Sequence, residues 1–73
     1  MLGEFYQDYH LVGFALCANG TGHWTSKVTI YPPPKINRSP TVLMGAEGLC
    51  ATEAEAEREA VRMGKNWIDR QTS

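Results

Sequence analysis

The 73-residue sequence has no long apolar run, almost no net charge and only two cysteines. No segment approaches the roughly 18 apolar residues of a membrane-spanning helix. Seven Lys and Arg against eight Asp and Glu give −1, which argues against a generic nucleic-acid binder or a polybasic membrane anchor. The residues from Met1 to Glu4 lack the core of a signal peptide. We therefore expect a soluble, cytoplasmic protein.

Groups that could carry chemistry are scarce. His10, His23, Cys17 and Cys50 are the only soft metal ligands, and none of their spacings is that of a zinc site. Cys50 precedes a predicted helix, but nothing in the sequence places a base beside it. We predict no metal, no cofactor, no catalytic residue and no enzymatic activity. The sequence leaves open whether the two cysteines are free, bridged or reactive.

The apolar content is that of a folded chain. Hydrophobic residues make up 42% of the sequence and seven residues are aromatic. A chain of this length fits one small domain, so residues 1–73 are predicted to form a single domain that begins with a tail at 1–7.

Residues 8–31 have the pattern of a β-hairpin. Side chains alternate between the two faces of a strand, and Asn19-Gly20 suits a tight turn between the two strands. In the first strand, one face carries Val12, Phe14 and Leu16, and the other carries Tyr9, Leu11, Ala15 and Cys17. In the second strand, one face carries Trp24, Val28 and Ile30, and the other carries Thr25, Lys27, Thr29 and Tyr31.

Prolines end the hairpin and a third strand region follows. Pro32-Pro33-Pro34 cannot donate to a sheet ladder, so residues 32–40 are predicted to form a loop. Residues 41–51 are the third strand region, as one bulged strand or two short ones.

The last segment predicts a helix over residues 53–70. Thr52 and Glu55 have the spacing of a capping box. Acidic residues near its start and basic residues near its end suit the helix dipole. An apolar stripe recurs at three- and four-residue steps along it: Ala56, Ala60, Met63, Gly64 and Trp67, flanked by Val61 and Ile68.

Together these elements predict an α+β fold in β-β-β-α order, with one C-terminal helix packed on one face of a three-stranded antiparallel sheet. We expect the helix to cover Val12, Phe14, Leu16, Trp24, Val28 and Ile30. The reverse face would then expose apolar residues, which are typical of an interface. The predicted interface consists of Tyr9, Leu11, Ala15, Cys17 and Tyr31.

Several short segments carry a resemblance. His23-Trp24, Ile30-Tyr31-Pro32, Thr52 to Ala56 and Gly64 to Asp69 are similar to a group of small uncharacterised bacterial β-β-β-α proteins. That group is placed with the double-stranded-RNA-binding-like folds on shape. The resemblance implies the fold alone and no catalytic residues.

Two functions remain open. The first is a non-catalytic interaction module that forms a homodimer, or binds another protein, through the helix-free face or an edge strand. The alternative is weak binding of nucleic acid or another anionic ligand by Lys27, Lys35 and Arg38. Nucleic acid is the less favoured partner, since three cations neutralise few phosphates.

Overall fold

Four consecutive antiparallel strands form a sheet, and a C-terminal helix follows them in this computed structural model, which describes residues 1–18, 20 and 22–72. The strands are β1 (Leu2–Tyr6), β2 (Tyr9–Cys17), β3 (Trp24–Tyr31) and β4 (Thr41–Met44), and the helix is α1 (Glu53–Thr72). Each strand pairs with the next along the chain. The predicted α+β class with one C-terminal helix is confirmed, but the predicted number of three strands is wrong.

The additional strand is β1, which occupies most of the predicted tail at 1–7. Leu2 and Tyr6 lie opposite Gly13 and Tyr9 of β2. The two strands are joined by Gln7 and Asp8, whose φ angles are +48° and +69°. Two positive φ values make the two-residue turn that matches the twist of a hairpin. Glycine, asparagine or aspartate usually supplies such values, and glutamine at the first turn position concealed this hairpin in the sequence.

The second hairpin joins β2 to β3 as predicted. Cys17 lies opposite Trp24 and His10 opposite Tyr31. Beyond the ladder, the Ala18 amide donates to the His23 carbonyl at 3.0 Å. Gly20 and Gly22 both have positive φ. The predicted Asn19-Gly20 turn depends in part on Asn19, which lies outside the described residues.

The third strand region consists of one short strand and a separate bridge. β4 runs alongside β3 from Thr41, opposite Ile30, to Met44, opposite Lys27. The chain then leaves the sheet edge and returns at Cys50, which exchanges backbone hydrogen bonds with Trp24 at 2.8 and 3.1 Å. The two possibilities left open for residues 41–51 are therefore resolved in favour of two separate pairings with β3.

The helix begins where the capping signals predict and continues two residues beyond the predicted end. The Glu55 amide donates to Thr52 Oγ1 at 3.1 Å, which confirms half of the capping box. The Glu55 carboxylate accepts instead from the amide of Ala51 at 3.2 Å, one residue earlier than the motif requires. Both bonds satisfy backbone donors that the helix itself leaves unpaired.

The core lies between α1 and one face of the sheet. Its fully buried large side chains are Leu11, Val28, Ile30 and Ile68. The predicted helix stripe is confirmed, with Ala56, Ala60, Val61, Gly64 and Ile68 buried and Met63 and Trp67 half-buried. Glycine and alanine at these positions bring the helix close to the strands.

The predicted faces of β2 are wrong. Leu11 and Tyr9 lie under the helix. Ala15 is on the same side, because it lies opposite Ser26, whose hydroxyl bonds to the helix backbone. The residues expected beneath the helix, Val12, Phe14 and Leu16, point to the other side. Cys17 is exposed at the strand end. Because β2 is apolar on both faces, alternation alone could not distinguish them.

The feature that decides the orientation of β2 is Gly13. A Cβ at Gly13 would stand 2.8 Å from the Glu57 carbonyl oxygen. The helix therefore requires a glycine beneath it, and the odd-numbered neighbours of Gly13 share its side. In β3, the predicted placement of Val28 and Ile30 beneath the helix is confirmed.

Candidate interaction surface

The sheet face turned away from α1 is the candidate interaction surface, here called the open face. The strand registers assign the residues that share this face. They are Gly3, Phe5, His10, Val12, Phe14, Leu16, Thr25, Lys27, Thr29, Tyr31, Val42 and Met44.

Most of these side chains are apolar, and several are well exposed. Phe5, Met44 and Val42 are 76%, 56% and 53% exposed, and Leu16 and Tyr31 are also exposed. These are five of the seven large hydrophobic residues that are exposed in the described part of the chain. Exposed apolar residues gathered on one face, rather than scattered, are typical of an interaction site.

Three rings form a row across one end of the open face. Phe5 lies opposite His10 in the register, and His10 lies opposite Tyr31. The Phe5 and His10 rings stack with centroids 4.6 Å apart and an interplanar angle of 17°. The His10 and Tyr31 centroids are 5.9 Å apart, with a tilt of 32°. We call Phe5, His10 and Tyr31 the aromatic row.

Lys27 is the only lysine, arginine, aspartate or glutamate on the open face, whose residues all lie in the described part of the chain. Its Nζ lies 6.0 Å from the centroid of the Phe14 ring. That distance is at the limit of a cation–π contact. The side chain is half-buried, so its charged head lies at the surface of an otherwise neutral face.

The chain itself covers the opposite end of the open face. Thr25 is on the same face as Lys27 but is only 6% exposed. Its Oγ1 accepts a hydrogen bond from the Gly48 amide at 2.9 Å. The segment between β4 and Cys50 thus folds over the Thr25 end, and the aromatic row is left at the uncovered end.

The structure separates the predicted anion-binding residues. Lys35 lines a cavity of about 510 Å³ together with Phe5, Asp8, Pro33 and Pro34, next to the aromatic row. Arg38 is exposed in the loop and is not among the residues that line this cavity. Asp8 offsets the charge of Lys35 there. Lys35 thus borders the aromatic row, whereas Lys27 lies opposite Phe14, four residues from Tyr31 along β3. Arg38 does not join Lys35 at this cavity.

Of the predicted interface residues, Tyr31 is on the open face. Tyr9 and Leu11 are buried in the core, Ala15 is on the helix side, and Cys17 is exposed at the end of β2. Phe5, Val42 and Met44 also lie on this face, although the sequence did not predict them as interface residues. The alternation of Thr41 to Met44 could have identified the last two, but their face depends on the register with β3.

Side chains that could perform chemistry do not come together. Within residues 1–18, 20 and 22–72, no three His, Cys, Asp or Glu side chains are grouped as they would be around a metal ion. Both cysteines are free thiols. The Cys50 sulfur lies 3.8 Å from Ser26 Oγ in the core. Cys17 is at the surface, so the two thiols lie in different environments.

The clearest electrostatic perturbation lies on the helix and away from the open face. Arg62 donates hydrogen bonds to the Glu59 carboxylate, and this contact lowers the pKa of Glu59. The same contact raises the pKa of Arg62. An i,i+3 ion pair on an exposed helix surface supports the helix, and we assign no binding role to it.

Comparisons with models of protein families, with curated proteins and with solved structures gave no match. The resemblance to small bacterial β-β-β-α proteins therefore stays a prediction. No helix in the described part of the chain is both long and apolar enough to cross a bilayer.

Proposed function

We propose that this protein is a non-catalytic interaction module that self-associates through the open face. The observation that carries the proposal is the concentration of exposed Phe5, Tyr31, Leu16, Val42 and Met44 on one side of the sheet. Burying these side chains against a second copy would remove apolar area from water without desolvating a carboxylate.

The dimensions of the face suit a small interface. Four strands about 4.8 Å apart, of four to nine residues at about 3.3 Å each, cover on the order of 400 Å² per copy. Two copies would bury roughly 800 Å², not counting the side chains that project from the sheet, which is the size of a weak or transient interface. We therefore expect an affinity in the micromolar range rather than an obligate dimer.

A two-fold axis across the strands gives complementary neighbours. It would place the aromatic row of one copy over Phe14 of the other. The same operation brings Lys27 toward Tyr31 of the second copy, where a ring face can accept the cation. The only charged group of the face would thus gain a partner instead of an apolar neighbour.

A second candidate function is weak binding of single-stranded nucleic acid. The aromatic row favours it, since exposed rings on adjacent strands can stack with successive bases. Lys35 borders the row, but Asp8 lines the same cavity, and Lys27 lies farther along the open face beside Phe14. So few cations would give weak binding that depends strongly on salt. Arg38 does not line the cavity beside the row, so we assign it no part in this binding.

Self-association is tested by light scattering together with methyl NMR over a concentration series. We expect a mass above that of the monomer at high micromolar concentration. The methyl signals of Leu16 and Val12 should shift as concentration rises. The double variant Phe5→Ser/Tyr31→Ser should lose these shifts. Leu49→Ser, which changes an exposed leucine off the open face, should retain them.

A monomeric mass and unchanged Leu16 signals would overturn the proposal. Titration with a labelled oligothymidylate at low salt then tests the second candidate. Binding that weakens in Phe5→Ser and Lys27→Gln would support it, and no binding would remove it.

A further inference from the structure

The strand β4 is one of the two edges of the sheet, and its hydrogen-bonding groups alternate in direction. The Gly45 amide donates to the Ser26 carbonyl at 2.8 Å. In an antiparallel ladder, every second residue bonds to a given neighbour. Thr41 and Leu43 therefore direct their backbone groups toward β3, whereas Val42 and Met44 direct theirs away from the sheet.

The length of this edge is limited on both sides. Pro40 precedes the strand and has no amide hydrogen, so it cannot donate to an added strand. After Gly45 the chain leaves the line of the sheet, and it returns only at Cys50. The edge offers the N–H and C=O groups of Val42 and Met44, which are two donors and two acceptors.

We propose that β4 pairs antiparallel with β4 of a second copy about a two-fold axis at Leu43. This register centres the pairing on the short edge that Pro40 and the departure after Gly45 leave available. Val42 of each copy exchanges both backbone hydrogen bonds with Met44 of the other, for four bonds in all. The two sheets join into one of eight strands.

The side chains of this register are self-complementary. On the helix side, Leu43 meets Leu43 of the second copy across a non-hydrogen-bonded position, where side chains approach most closely. Leu43 and Met63 line an open cleft of about 640 Å³ between β4 and α1, which the second copy would cover. On the open face, Val42 lies next to Met44 of the other copy, so two exposed apolar residues become neighbours.

The corresponding register at β1 is unfavourable. Gly3 and Phe5 direct their backbone groups outward there, so the matching axis passes through Glu4. Two carboxylates would face each other, and like charges directly opposite in a sheet are destabilising. The Glu4 carboxylate is also engaged by Lys65, whose Nζ lies 2.6 Å away. Self-complementarity therefore selects β4 over β1.

This inference goes beyond the proposed function because it uses the outward backbone groups of β4 and not the side chains of the open face. A face-to-face contact and an edge-to-edge contact are two isologous interfaces. The face axis runs across the strands and the edge axis is normal to the sheet, so where the two axes intersect the two interfaces generate a closed tetramer with D2 symmetry. The tetramer would be two eight-stranded sheets packed against each other, with the helices outside.

Residue-resolved hydrogen exchange over a concentration series tests the edge directly. We expect the amides of Val42 and Met44 to become protected as concentration rises, because they are bonded only in the paired edge. The amides of Gly3 and Phe5, which point outward from β1, are the matched control and should continue to exchange fast. Fast exchange of Val42 and Met44 at every concentration would overturn the proposal.

Val42→Pro provides a second measurement by native mass spectrometry. The Val42 amide points away from β3, so proline there removes an edge donor without removing a bond to β3. We expect the largest species to fall from four chains to two, and Val42→Ala to keep four. A tetramer that persists in Val42→Pro would contradict edge pairing.

The two proposals fail separately. A dimer with protected Val42 and Met44 amides would retain the edge contact and remove the face contact. A dimer with unprotected amides and shifting Leu16 methyl signals would retain the face contact and remove the edge contact.

Discussion

Gly13 of β2 lies directly beneath the backbone of Glu57 in α1. A Cβ built on Gly13 would stand 2.8 Å from the Glu57 carbonyl oxygen and 3.1 Å from the Ala60 Cβ. A clash with backbone atoms cannot be relieved by a change of rotamer, as a clash with a flexible side chain can. The separation between helix and sheet, and with it the choice of which face of β2 is covered, depends on this missing side chain.

Gly13→Ala should therefore destabilise the protein by about 1–3 kcal/mol, the range for overpacking in a well-packed core. Urea denaturation at equal protein concentration measures the change. Gly3→Ala is the matched control in a neighbouring strand, since a Cβ at Gly3 would lie 3.5 Å from its nearest neighbour, His10 Nε2. Equal stability of the two variants would show that the helix can shift at no cost.

The β1–β2 turn is tied to the last part of α1. The Tyr6 hydroxyl donates to Asp69 Oδ1 at 2.7 Å, and Gln7 Nε2 donates to the same oxygen at 3.1 Å. We expect Asp69→Ala to cost about 1 kcal/mol, as for a typical net hydrogen-bond loss. Asp69→Asn, which keeps an acceptor oxygen, should cost less.

Hydrogen exchange distinguishes a local effect of Asp69→Ala from a global one. The Glu4 amide, which faces β2, should exchange faster, while the Val28 and Ile30 amides in the centre of the sheet should change less. Uniform acceleration at all three would contradict a specific role in holding β1.

Ser26 forms a buried polar contact between sheet and helix. It is 2% exposed, and its hydroxyl donates to the Ala56 carbonyl at 2.8 Å. Ser26→Ala should lower the free energy of unfolding by about 1 kcal/mol, because the bond is lost from a site that water does not reach. Ser39→Ala, in an exposed loop, should leave it unchanged. Thermal denaturation compares the two, and a neutral Ser26→Ala would disprove the contribution.

The Glu59–Arg62 pair predicts a dependence on pH. Because Arg62 lowers the pKa of Glu59, the pair adds stability that is present above the unfolded-state pKa and is lost as pH falls through the lower folded-state value. Arg62→Gln should raise the Glu59 pKa toward its ordinary value, as measured by carbon NMR of the carboxyl group. Lys65→Gln, which removes the partner of Glu4, should not move it.

The helix could be predicted from sequence because its signals are local. Thr52 and Glu55 mark its start, and the stripe from Ala56 to Ile68 defines its buried side within one element. The Thr25, Lys27, Thr29 and Tyr31 face of β3 was also predicted correctly, because only one side of that strand is strongly apolar.

The errors arose where position depends on distant parts of the chain. The turn at Gln7 and Asp8 has an unusual residue at its first position and is held by Asp69, 61 residues after Asp8. The side of β2 that is covered depends on Gly13 meeting Glu57. Neither relationship has a signature within a short window, so the aromatic row and its place on the open face could not be predicted.

The helix that covers the sheet is also the last element of this sequence to be synthesised. The ribosome synthesises all four strands before Ile68. Until then, both faces of β2 are exposed to solvent in the nascent chain. During that interval the apolar side chains of Leu11 and Val28, which the helix later buries, are free to associate with other chains. We therefore expect the yield of native protein in cell-free translation to depend on chaperones more than on the stability of the finished fold.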